Sequence, residues 1–457
     1  MRLWRIRRDG GPGKDLRSKA FCVYYITKVK TLKELFRKTI EKKQIFLYNV
    51  KKERLHADLS SALCKKGENA PAPAGAVLSD MLKFLHCADL HLDSPFRTGN
   101  PGTSAVRRNE LRGVFSSMML YARTNGIRLM LMAGDLFDTE FVTKETVELL
   151  LHEFSSFPSC KFVISPGNHD PYTPNSVYAR IRFPSNVYIF GSEEPSVFRF
   201  DDLGADVYGY AFTSPSLASF PLAARRPDRP DRINLVCAHG DILSPESRSC
   251  PIPPGWFRSC GFDYAALGHV HNSDGIQRSG DTYYGYSGCL EGRDFGETGY
   301  KGAIEVEASK TDGTFFARCR GIRFSRRRYE TASLDLTGVT DRYDAENRVR
   351  ALLGEKKFGS DTSLRLTLTG SVPADFPAPG EWLAACGEGL YALTLADQTL
   401  PLLNREALEE DQTIIGAFYR RLLPKLENGT PEEKRLAAEA LRAGLTALRG
   451  GDLETDR

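Results

Sequence analysis

Asp89 and His91 stand two residues apart just after a short apolar run, and four comparable polar clusters follow similar runs downstream. They are Gly134-Asp135, Gly167-Asn168-His169-Asp170, His239-Gly240-Asp241 and Gly268-His269-Val270-His271. Five of the eight histidines lie in these clusters, which is hard to assign to unrelated loop residues. Carboxylates, a carboxamide and neutral imidazoles are oxygen and nitrogen donors, and the lack of cysteine within the clusters argues against a structural thiolate zinc site. Seven candidate ligands, Asp89, His91, Asp135, Asn168, His239, His269 and His271, exceed what one tetrahedral ion needs. Two ions roughly 3.5–4 Å apart are therefore expected, with Asp135 as the natural bridge because one carboxylate can bond two cations. Such a pair clamps a phosphoryl oxygen, lowers the pKa of a bound water and offsets charge that develops during in-line displacement.

The runs that carry these clusters are KFLHC (83–87), RLMLMA (128–133), KFVIS (161–165), NLVCA (234–238) and YAALG (264–268), all read as buried strands. Helix-like stretches at 104–124 and 143–154 separate the first three, so the spacing predicts an α/β domain with substantially parallel strands. In such sheets, ligand sites collect beyond the carboxyl ends of the strands, where every cluster falls. Further on, GIRFSRRRYE (321–330) reads as a linker. ASLDLTGV, a helix near 341–355, SLRLTLTG (363–370) and LYALTL (390–395) read as a small β-α-β-β module. Thr430-Pro431-Glu432-Glu433 is a helix start with a capping box. It leads into an apolar stripe, Leu436, Ala440, Leu441, Leu445 and Leu448, that Gly450-Gly451 ends.

At 457 residues the chain is long enough for two to three domains, and 41% hydrophobic with 26% charged residues excludes global disorder. No stretch approaches the roughly 18 apolar residues of a membrane-spanning helix. The net charge of +4 is uneven: residues 1–80 hold 19 basic against 8 acidic residues, and residues 81–457 hold 43 against 50. Bulk charge therefore gives no warrant for nucleic-acid binding. Ten cysteines without a C-x-x-C pair fit free thiols in a reducing cytoplasm, although Cys250 and Cys260 flank one Pro-rich stretch. Residues 1–80 end in ENAPAPAGAV and read as an ill-ordered basic extension, or a start called upstream, with folding beginning near Met81. Within them Thr31–Phe46 has helical spacing, and AFCVYYI (20–26) lacks the cleavage site of a secretory signal.

Taken in order, D-x-H, GD, GNHD, a later H and GHxH resemble the motif set of the calcineurin-like metallophosphoesterases over residues 81–295. The resemblance implies an α/β fold, a two-sheet sandwich flanked by helices, with a dimetal site at its edge. By motif match, Asp89, His91, Asp135 and His271 would hold one metal, and Asp135, Asn168, His239 and His269 the other. His169 would be the non-ligand histidine that stabilises the transition state or protonates the leaving oxygen, with Asp170 orienting it or its loop. FLHCADLHLDSPF, AGDLFD, SPGNHDPY and YSGCLEGRDFGETGYKGAIEVE (286–307) look like the SbcD-like DNA exonuclease branch, especially its YhaO-type members. That narrower likeness implies a small α+β capping domain, DNA as substrate and Mn²⁺ as the favoured ion, with Mg²⁺, Fe or Zn²⁺ permitted by the donors. It also implies an SbcC-like coiled-coil ATPase as partner, work in DNA repair in the cytoplasm, and homodimers, which are common in the branch. Relatives often carry histidine after GDLF where this chain has Asp138, which puts a DNA-positioning role there in doubt.

The expected domains are then a basic extension (1–80), a nuclease domain (81–320), a capping domain (330–425) and a C-terminal helix (430–450). His86 reads as a packed, hydrogen-bonded strand histidine, and His56 and His152 as surface residues. Asp138 is either a group behind the ligands or the N-cap of the 143–154 helix. Two arginine groups, 323/326/327/328 and 225/226/229/232, either meet DNA phosphates or form solvated charge runs. The 436–448 stripe either docks on a partner or packs on its own domain. Besides a nuclease, a phosphatase or phosphodiesterase of small molecules and a DNA-end scaffold with secondary hydrolysis remain alternatives.

Overall fold

The computed structural model describes residues 81–96, 101–138, 142–373, 376, 379–402 and 405–430, with scattered positions from 433 to 444. The expectations for residues 1–80, His56 among them, lie outside the described residues. Continuous apolar runs form strands buried on both faces: β1 (Leu82–Cys87), β2 (Leu129–Met132) and β3 (Lys161–Ile164) run parallel and continue to β4 (Val187–Ile189). Helix α1 (Pro101–Thr124) connects β1 to β2, and α2 (Lys144–Ser155) connects β2 to β3.

A second sheet holds β5 (Ser196–Phe200), β6 (Ala205–Gly209), β7 (Ile233–His239), β8 (Tyr264–Gly268), β9 (Gln277–Ser279) and β10 (Thr282–Tyr286), in the order β5-β6-β7-β8-β10-β9. The hairpin of β11 (Gly302–Thr311) and β12 (Thr314–Arg323) completes the first sheet, whose order is β12-β11-β1-β2-β3-β4.

Alternation along β1–β3 divides the core. Phe84, Leu129, Leu131 and Val163 face Val207, Leu235 and Tyr264 of the second sheet, while Leu85, Met130, Phe162 and Ile164 meet Phe115, Met118, Leu150 and Phe154 of α1 and α2. The result is a sandwich of two six-stranded sheets with helices outside the first, the α/β architecture that the sequence implied.

The linker is shorter than expected. β12 runs to Arg323, registered opposite Gly302, and β13 (Arg328–Asp335) begins five residues later. β12 is an edge strand studded with arginines, a charged edge whose sequence looks like a loop. The module beyond it is β-α-β-α-β rather than β-α-β-β. β13, α3 (Arg342–Glu355), β14 (Thr362–Thr369), α4 (Pro379–Cys386) and β16 (Ala392–Asp397) give three parallel strands in the order β13-β14-β16. Short β15 (Ser371–Val372) and β17 (Leu400–Pro401) pair beside them.

The overlooked α4 starts at a proline, which the first helical turn tolerates, and buries Trp382 and Leu383. Past α5 (Arg405–Glu410) and α6 (Ile414–Asn428), Thr430 and Glu433 form the capping box. The Thr430 N–H donates to Glu433 Oε2 at 3.0 Å and the Glu433 N–H to Thr430 Oγ1 at 3.3 Å. Leu441 packs on Leu408 and Tyr419 of the same chain, whereas Leu445, Leu448 and the two glycines lie outside the described residues. Among the described residues no helix is long and apolar enough to cross a membrane.

Candidate metal centre

The turns that leave β1, β2 and β8 converge because β1 lies beside β2 in one sheet and faces β8 of the other. Asp89, His91, Asp135 and His271 bring ligand atoms within 4.8 Å of one another. The two imidazole Nε2 atoms of His91 and His271 are 3.1 Å apart, His91 Nε2 is 3.7 Å from Asp135 Oδ2, and His271 Nε2 is 3.9 Å from Asp89 Oδ1. Beside them His239 Nε2 lies 3.5 Å from Asp135 Oδ2 and 2.9 Å from Asn168 Oδ1. The ring of His269 packs edge-on against His239, with centroids 5.3 Å apart, and the His269 backbone N–H donates to Asp89 Oδ1 at 2.9 Å. Asp135 thus stands between two groups of donors.

The backbone is strained to achieve this. Asp89, His91, Asp135 and His269 have φ of 52°, 45°, 51° and 111°, the left-handed side that non-glycine residues avoid. Two glycines let the turns meet. A Cβ at Gly268 would lie 1.8 Å from the Ala133 carbonyl oxygen, and one at Gly134 2.2 Å from His239 Nδ1.

Electrostatics divides the group by partner. Burial lowers the pKa of His91, His239 and His269, and raises that of Asp89. Burial opposes ionisation of Asp135 too, yet His239 and His91 outweigh it and hold its carboxyl below the usual range. For His271, burial is outweighed by the Glu297 carboxylate 2.6 Å from Nδ1 and by Asp89, and the net shift is upward. Buried acceptor-rich donors facing one another at these distances match the chemistry of a divalent-cation site, since only a cation relieves carboxylates and imidazole lone pairs packed so closely.

Residues 82–273 match the calcineurin-like phosphoesterases. Over that span the chain resembles metallophosphoesterases. It is 28% identical over 348 residues to an uncharacterized metallophosphoesterase, YhaO, of Bacillus subtilis, an alignment that covers 73% of this chain and 80% of that protein. It is 24% identical over 209 residues to the DNA double-strand break repair protein Mre11 of Methanopyrus kandleri, which covers 42% of this chain and 44% of the relative. Among solved structures, vacuolar protein sorting 29 of Cryptosporidium parvum aligns with 15% identity over 53% of this chain and 98% of its own, at a TM-score of 0.26.

His169 sits at the rim of the centre. Its N–H donates to Asp135 Oδ1 at 2.9 Å, its Nδ1 lies 3.3 Å from the Asp138 carbonyl oxygen, and its side chain is 44% exposed. Of the two expectations for Asp170, orienting the His169 side chain or its loop, the contacts fit the loop. Its buried carboxylate accepts from the N–H groups of Gly167 (2.8 Å) and Phe137 (3.1 Å) and from the Tyr178 hydroxyl (2.5 Å), so it holds the loop and does not reach the His169 ring. Burial and the nearby Asp135 charge push its pKa up to about 7.

Thr143 caps α2, which removes the N-cap reading of Asp138; instead Asp138 Oδ1 is 3.0 Å from His91 Nδ1 and 2.8 Å from Arg293. Glu297 and Arg293 received no role from the sequence, and nothing in their spacing marks them. His86 is a strand histidine whose Nδ1 and Nε2 lie 3.0 Å from the Tyr264 hydroxyl and the Leu267 carbonyl, and His152 is exposed.

The arginine groups meet their own chain. Arg225 pairs with Asp228, Arg229 with Asp201 and Asp206, Arg232 with Asp201, Arg323 with Asp361, Arg327 with Glu110, and Arg328 donates to Thr362 and the Lys357 carbonyl. Cys250 and Cys260 are separate buried thiols, against Tyr210 and Thr282.

Proposed function

We propose that the chain is a dimetal-dependent phosphodiesterase acting on DNA, in the manner of the SbcD-like exonucleases, with Mn²⁺ as its ion. The observation that carries the reading is the facing of two donor groups across Asp135. One is Asp89, His91 and His271, and the other is Asn168, His239 and His269. When bound, a pair of divalent cations there supplies Lewis acidity and a water of lowered pKa. The residues supply the rest. Asp135, held ionised, fixes the centre between both groups, and His169, anchored through its backbone to Asp135, offers an accessible imidazole to a leaving oxygen.

DNA is favoured by the likeness to a relative named as a DNA double-strand break repair protein. An SbcC-like coiled-coil ATPase as partner, a homodimeric state, a cytoplasmic location and a role in repair belong to the same reading, and the reduced, buried thiols are consistent with the location. One observation favours a small phosphodiester instead: the arginines nearest to a phosphate-contact reading are already neutralised by acids of the chain.

The full chain with Mn²⁺, offered linear DNA, closed circular DNA and a chromogenic phosphate monoester, separates these. Degradation of linear DNA that stops on chelation and is absent from Asp135→Asn is expected. Fast turnover of the monoester with both DNAs intact would overturn the nuclease reading.

A further inference from the structure

Resting on the metal-centre reading above, we infer that Glu297 and Arg293 are positioning residues that lock the two facing histidines, His271 and His91, with Nε2 turned inward. The outward nitrogen of each ring ends on a carboxylate. His271 Nδ1 is 2.6 Å from Glu297 Oε1 and His91 Nδ1 is 3.0 Å from Asp138 Oδ1. Arg293 joins these two carboxylates, with Nη1 2.8 Å from Asp138 Oδ1 and Nη2 3.0 Å from Glu297 Oε1. One guanidinium therefore ties together the outer partners of both rings while the inner Nε2 atoms approach to 3.1 Å.

The partners assign the tautomer. Arg293 Nη2 also lies 3.1 Å from His271 Nδ1, but a lone pair there would face the Glu297 oxygen at 2.6 Å, acceptor against acceptor. A proton on Nδ1 donated to Glu297 removes the clash and leaves the Nε2 lone pair free to ligate. The strap is also anchored at its far end. The Arg293 N–H donates to Glu297 Oε2 at 2.7 Å, and both side chains are largely buried. The donor atoms that converge within 4.8 Å belong to Asp89, His91, Asp135 and His271, so Glu297 and Arg293 act through the rings.

Mn²⁺ titration of the full chain, followed by loss of the free-ion electron paramagnetic resonance signal, tests this beside thermal unfolding in chelator. Glu297→Gln and Glu297→Met are expected to weaken Mn²⁺ binding by roughly 10–100-fold, Met more than Gln, while their metal-free unfolding temperatures stay together. Arg293→Met should weaken it in the same sense without removing any direct contact to His271 other than its own. If the Glu297 variants unfold, Arg293→Met decides alone. Wild-type affinity in folded variants would overturn the inference. A wild-type chain that leaves the Mn²⁺ signal untouched would remove the centre itself, a different failure.

Discussion

His169 combines a backbone anchored to Asp135 with a ring more exposed than those of His269 and His271. If it donates a proton to the leaving oxygen, His169→Gln lowers kcat by roughly 10²–10⁴ while Mn²⁺ binding stays at the wild-type level; steady-state kinetics with a metal titration checks both. His86 makes a second prediction, through acid stability. Burial lowers its pKa to about 4 from 6.5, so between those values the unfolded chain binds the extra proton. Its contribution is fully present above pH 6.5 and is lost as pH falls toward 4, on the order of 3 kcal/mol. Urea unfolding from pH 7 to 4 should show a shallower acid slope for His86→Gln, whose amide can still donate to Leu267. The ligand types and their strand-end spacing were legible at this scale because the donors announce their chemistry. Glu297 and Arg293 were not, since a glutamate 26 positions from its histidine has no periodicity to give it away. The direction of Asp170 depends on Tyr178, which adjacency to His169 could not disclose.

At the scale of elements, uninterrupted apolar strands such as β7 and β8 could be read directly, because burial on both faces demands such runs. β12 and α4 were obscured for opposite reasons: one is an edge strand dressed in charge, the other a short helix behind prolines. The meeting of β8 with β2 is the tightest point of the sandwich near the centre. Gly268→Ala would set a methyl 1.8 Å from the Ala133 carbonyl oxygen, so backbone must shift. Its stability should fall by at least about 1–3 kcal/mol in urea unfolding, with loss of the centre's affinity for Mn²⁺.

Across the whole molecule, α1, the segment after β10 and the start of the module that β13 opens meet around one buried cation. Arg107 donates to Glu110 and Glu291 at 2.8 Å each and to the Gly292 carbonyl, and Arg327 reaches Glu110 while stacking on Tyr391. Removing the buried member takes the cation from Glu291, while Glu110 keeps Arg327. Arg107→Met should destabilise the chain by roughly 3–5 kcal/mol in chemical denaturation, whereas Lys144→Ala, at a pair with Glu148 exposed on both sides, should leave the midpoint in place. The left-handed backbone of Asp89, His91, Asp135 and His269 has a further consequence. Glycine would relax each of those residues, so in chelator Asp89→Gly should melt above the wild type even as it forfeits a donor.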